Sequence, residues 1–128
     1  MPSRDPFFYA VVRVVPDIER EEFVNAGLVL FCRPHRFLAA RTHLDAEALA
    51  AIHPGADLEG IGDQLGLVEA VAAGTVGAAP FEAMSQSERF HWLTTPRSTV
   101  VQPGPVHAGM TEDPGGTFEH LYGTLVRR

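Results

Sequence analysis

The sequence predicts an α+β domain with an antiparallel or mixed sheet of about four strands, covered by helices. Three observations carry that expectation. The chain has 128 residues, 45% hydrophobic and 20% charged, which suits one globular core. Residues 7–15, "FFYAVVRVV", are aromatic and β-branched on both alternating faces, as in a central strand covered on both sides. Strands and helices then follow in runs, without regular βαβ alternation. No linker, internal repeat or low-complexity tract interrupts the chain, so residues 1–128 are read as one domain.

The first strand stops at Pro16. Along it Phe7, Tyr9, Val11, Arg13 and Val15 share one side, and Phe8, Ala10, Val12 and Val14 the other. "PDIEREEF", residues 16–23, offers Asp17 as a cap with carboxylates in the first turn, which predicts one or two helical turns. Gly27 opens a second strand, 27–33, broken by Pro34. A tight turn leads into a short third strand, 36–41. Asp45 caps a helix through Ile52, stopped by Pro54 and Gly55. Asp57 opens another, on which Leu58, Ile61, Leu65, Val68 and Val71 or Ala72 form one stripe. Its internal glycines weaken it.

Residues 74–80 read as a connector. Ser85 with Glu88 is a capping-box pattern for a helix over 86–94, ended by Pro96. "STVVQP", 98–103, reads as the fourth strand and 104–116 as a loop. Asp113 followed by Pro114 matches an N-cap and first-turn proline. The last helix turns Phe118, Leu121, Tyr122 and Leu125 toward the core.

Composition excludes several function classes. The net charge is −6, which disfavours a nucleic-acid partner. All ten basic residues are arginine, so neither a Schiff-base nor a Walker-type lysine is available. A single cysteine, Cys32, permits no internal disulfide and fits a reducing, cytoplasmic setting. It alternates with Leu28 and Leu30, as a buried small hydrophobe would. The first ten residues lack the pattern of a signal peptide, and no apolar run approaches membrane-spanning length. None of the six histidines shows zinc-site spacing, and no cofactor signature is present.

Two constellations remain as candidate sites. The first joins Arg13 to Glu21, Glu22 and Asn25. A guanidinium in a covered strand needs a carboxylate, because a buried unpaired charge costs several kcal/mol. Glu21 or Glu22 is the nearest supply, and the pair would fix the connector against the sheet. Read functionally, Asn25 and Gly27 add a polar pocket at the strand end. Adjacent carboxylates point apart on a helix, which argues against a shared metal.

The second constellation is "TTPRSTVVQ", where Arg97 and Ser98 sit between a helix and a strand. Arg97 either recognises an anion or an acidic residue of a partner, or caps carbonyls at the helix end. Ser98 as a nucleophile would need His91 or His107 as base, and no Gly-x-Ser-x-Gly elbow exists. Among the histidines His107, in "PGPVHAGMTEDP", is the one singled out for a functional role.

Two stretches, "YAVVRVVPDIEREEFVNAGLVLF" (9–31) and "FHWLTTPRSTVVQPGPVHAGMTEDP" (90–114), cover about 48 residues near the two ends of the chain. Together they resemble the bacterial domain-of-unknown-function family 3037. That resemblance assigns no activity. It implies a gene neighbour resembling the kinase-like toxin of persistence toxin–antitoxin pairs, and hence a protein partner that is kinase-like. The expectation is a non-enzymatic binding or regulatory module, in which Arg13, Glu22, Asn25, Arg97, Ser98 and His107 gather into one polar patch. The alternative is a small enzyme or binder of an anionic or nucleotide-type ligand, using Arg97 and Arg13.

Overall fold

The computed structural model describes residues 4–127. Strands β1 (Asp5–Val14), β2 (Val24–Cys32) and β3 (Phe37–Thr42) come first. Helices α1 (Ala46–Ile52), α2 (Leu58–Ala73) and α3 (Gln86–Thr94) follow. The chain ends with β4 (Val101–Pro103), β5 (His107–Thr111) and α4 (Pro114–Leu125). The sheet is antiparallel throughout, in the order β3-β2-β1-β4, and β5 pairs with β1 beside β4. This is an α+β fold with five strands rather than four.

The strand at the centre is the one whose two faces are both apolar. Val12 and Val14 of β1, with Val29 and Phe31 of β2, pack under α1–α3 around Leu49, Ile61, Leu65, Phe90 and Leu93. Phe7 of β1, with Leu28, Leu30 and Cys32 of β2, packs under Phe118 and Tyr122 of α4. Alternation along each strand therefore feeds two cores, one per face. Cys32 is fully buried in the second, where burial pushes its thiol pKa up and leaves it an inert hydrophobe.

The caps fall where the side-chain chemistry places them. Asp45, Asp57 and Asp113 each accept a backbone N–H in the first turn of their helices. Ser85 and Glu88 form a full capping box on α3. Ser85→Ala is expected to cost about 1 kcal/mol, read as a lower urea midpoint with an unchanged m-value.

Several expectations fail. Residues 16–23 form turns, not a helix. Arg20 and Glu21 bond back to the carbonyls of Asp17 and Ile18, three residues earlier, and the Asp17 carboxylate takes the Glu19 N–H. Glu21 then has φ 57°, a left-handed conformation that ends any helix. The fourth strand begins at Val101 rather than Ser98, and the 104–116 "loop" contains β5. β5 lacks a run of β-branched residues; its hydrogen bonds come from β1, and Gly109 is there because a Cβ would lie 2.7 Å from the Phe7 ring. Leu58, assigned to the core stripe of α2, is 46% exposed, and the buried stripe of that helix starts at Ile61.

Candidate functional site

Arg13 sits where the sheet loses its regularity. The β1–β2 register shifts between Val12 and Arg13, which places Arg13 opposite Asn25 on β2 and Gln102 on β4. Its guanidinium leans over the Phe23 ring, with Cζ 4.2 Å from the ring centroid. From the other side Gly104 closes in, and a Cβ there would lie 3.0 Å from Arg13 Nε. That packing buries Nε without a hydrogen-bond partner.

The expected ion pair is absent. Among the described residues no carboxylate reaches Arg13, and Glu22 is held by Arg20 Nε at 2.6 Å. Arg13 is only half-buried, so water reaches the rest of its guanidinium. The aromatic face supplies attraction of about 0.5–2 kcal/mol. A cation so placed does not require the acidic mate that a covered strand would demand.

Arg13 opens into a cleft of about 310 Å³ lined by Val15, Ile18, Glu21, Phe23, Ser98 and Gln102. The structure thus brings Arg13 and Ser98 together, from opposite ends of the sequence. The other singled-out residues lie apart. Glu22 is bound to Arg20. Asn25 lines a neighbouring cavity with His43 and Asp45, and its Nδ2 donates to the Leu125 carbonyl at 3.1 Å, tying the end of α4 to β2. Arg97 stacks on Trp92, with Cζ 4.6 Å from the ring, donates through Nη2 to the Trp92 carbonyl and through Nε to Thr95 O at 3.3 Å. It caps the end of α3 and borders an apolar cavity beside Leu67 and Val68. His107 is exposed and its ring lies 5.2 Å from that of Tyr9, its partner across the ladder. Ser98 has no histidine in hydrogen-bonding contact among the described residues.

Sequence reasoning missed Phe23, Ile18, Gln102 and Gly104. Phe23 and Ile18 are each 44% exposed, in a turn otherwise composed of charge. An aromatic residue in such a turn, next to a strand arginine, is a signal that was there to be read. Gly104 and Gln102 depend on the β4 register and carry none.

A separate ion pair lies outside the cleft. Arg41 of β3 grips Glu119 of α4 through both Nη atoms, at 2.9 and 2.7 Å, and its guanidinium also faces the Phe118 and Tyr122 rings. The Arg41 hydrogen bonds hold the Glu119 carboxyl below its ordinary value of 4.5. A depressed folded-state pKa contributes stability above the ordinary glutamate range, lost as pH falls through the folded value. Glu119→Gln should therefore flatten the acid limb of a stability–pH profile. The effect is small and weakens with salt, because the pair is exposed.

Among the described residues no group of three or more His, Cys, Asp or Glu side chains is placed to hold a metal ion, and no helix is long and apolar enough to cross a membrane. The family model described as "Protein of unknown function (DUF3037)" matches residues 9–126, nearly the whole chain. No curated protein and no solved structure matches.

Proposed function

The chain belongs to the DUF3037 family of proteins of unknown function, and on that premise we propose that it is a non-enzymatic binding module whose Arg13 cleft takes a carboxylate-bearing segment of a protein partner. One observation carries the reading: a guanidinium with no acidic mate among the described residues, in an open cleft flanked by exposed Phe23 and Ile18. Arginine and aromatic side chains are the residues that dominate protein–protein contacts, and a carboxylate is the group a free guanidinium forks best. Ser98 and Gln102 add polar atoms at the rim.

The chemistry favours an acidic side chain over a free phosphate. Glu21 lines the same cleft, and a multiply charged anion would sit against it, whereas a single carboxylate bordered by apolar groups meets Phe23 and Ile18. Arg97 has its guanidinium committed to the end of α3 and to Trp92, so the anion-binding alternative rests on Arg13.

Affinity capture from the native host tests the proposal, using wild type, Arg13→Met and Arg97→Met, with a kinase-like protein as the first partner to assay. Arg13→Met keeps an unbranched apolar side chain at this position and removes the charge that lies over Phe23. It is expected to weaken capture about tenfold or more, in line with a lost charge-assisted hydrogen bond. Arg97→Met should leave capture unchanged. An equal yield with Arg13→Met, or no captured protein with wild type, would sink the reading.

A further inference from the structure

The two edges of the sheet are built differently. Along β3, α2 packs against the strand. Glu69 Oε2 accepts the Thr42 N–H at 3.2 Å, Gln86 Nε2 donates to the Arg36 carbonyl at 2.9 Å, and Arg41 places a charge on the edge. Native sheets use charge and cover in this way to block strand addition. The β5 edge has neither. Residues 106–111, "VHAGMT", carry no Asp, Glu, Arg or Lys, and among the described residues β5 pairs with nothing but β1.

The ladder fixes which backbone groups are open. Pro6 has no N–H, so its pairing with Met110 is a non-hydrogen-bonded one. The exchange pairs are then Asp5–Thr111, Phe7–Gly109 and Tyr9–His107, and the alternating residues Ala108 and Met110 aim their N–H and C=O groups outward. On the face shared by Phe8, Ala108 and Met110, Phe8 is 40% and Met110 51% exposed, and Val106, at the same edge, 46%. An apolar strip therefore borders a row of unpaired backbone donors and acceptors.

We propose that this edge pairs with the same edge of a second copy of the chain, joining two sheets into one across a two-fold axis. Such an interface is isologous, so the strand must complement itself. Antiparallel pairing about an axis through Gly109 sets Ala108 of each copy opposite Met110 of the other. Both are the outward-facing residues, so each pair exchanges two backbone hydrogen bonds. The large Met110 side chain falls on the small Ala108, and the exposed Phe8 and Val106 of both copies become continuous. The chain carries a net charge of −6, yet β5 itself contains no carboxylate; Glu112, just beyond it, falls opposite Val106 of the other copy, so the register brings no like charges together. This self-matched, uncharged register argues for a second copy over a strand of unrelated sequence.

Sedimentation equilibrium of the full chain from about 1 μM to about 1 mM tests this. The wild-type weight-average mass is expected to climb from 13.9 kDa toward twice that value. Ala108→Pro removes one outward N–H, leaves the β1 ladder intact, and should raise the dissociation constant about tenfold or more. Ala108→Ser should not change it. Met110→Lys, which puts a charge on the seam without altering the backbone, should act like Ala108→Pro and serves if the proline variant does not fold. A wild-type mass constant at 13.9 kDa, as expected if the edge stays open or takes another protein's strand, overturns the proposal. So does unchanged dimerisation of Met110→Lys, which would place the interface elsewhere.

Discussion

Phe118→Ala is expected to lower the stability of the fold by about 3–5 kcal/mol, the range for truncating a buried phenylalanine. Phe118 is 3% exposed and stands at the middle of the α4 contact with the sheet. Its ring packs near Phe37 and Tyr122, with centroids 6.3 and 6.2 Å away, and the Arg41 guanidinium lies 5.2 Å from it. Truncation opens a cavity over Phe7, Leu28, Leu30 and Cys32, a face that α4 covers. It also strips the apolar floor from the Arg41–Glu119 pair, so the two losses are coupled. With a typical domain stability of about 5–15 kcal/mol, that is enough to leave α4 frayed at physiological temperature. Urea unfolding followed by far-ultraviolet circular dichroism reads the loss, and Phe118→Leu should recover most of it. A Phe118→Ala cost below about 1 kcal/mol would mean that α4 does not seal this face.

Leu49→Ala is expected to cost about 2–5 kcal/mol for a different reason. Leu49 is fully buried and is the one buried residue of α1. A helix of seven residues has no stability of its own in water, so its packing holds it. Losing the anchor should release α1 before the rest of the fold. Hydrogen exchange separates the two effects: the α1 amides should lose protection more than those of β1 and β2. Uniform loss across the chain would show that α1 and the sheet unfold as one unit.

The elements legible in the sequence were those whose signal is local. The capping box at Ser85 and Glu88 and the aspartate caps at 45, 57 and 113 set the starts of the four helices without help from distant residues. The doubly apolar pattern of residues 7–15 announces a central strand, which the structure places at Asp5–Val14. Residues 16–23 misled because carboxylates after Asp17 fit a helix start and a pair of turns equally well. Glu21 takes the left-handed conformation three residues before β2 begins. β5 was invisible because its reason for being extended is β1 itself.

The candidate site divides along the same line. Arg13 and Ser98 are legible in the sequence and line one cleft, but the carboxylate mate expected to join them is missing among the described residues. What occupies that role is the Phe23 ring. Its exposure, and the approach of Gly104 that buries Nε, depend on the bulge in β2 and the register of β4.

The chain's composition and local spacing determined the fold class, the helix boundaries and which strand lies at the centre, because caps and hydrophobic periodicity act over a few residues. Only the tertiary structure decided which charges pair, which ring meets Arg13 and which sheet edge stays open. Those outcomes rest on register and on contacts between residues far apart in sequence, where no local preference selects the partner.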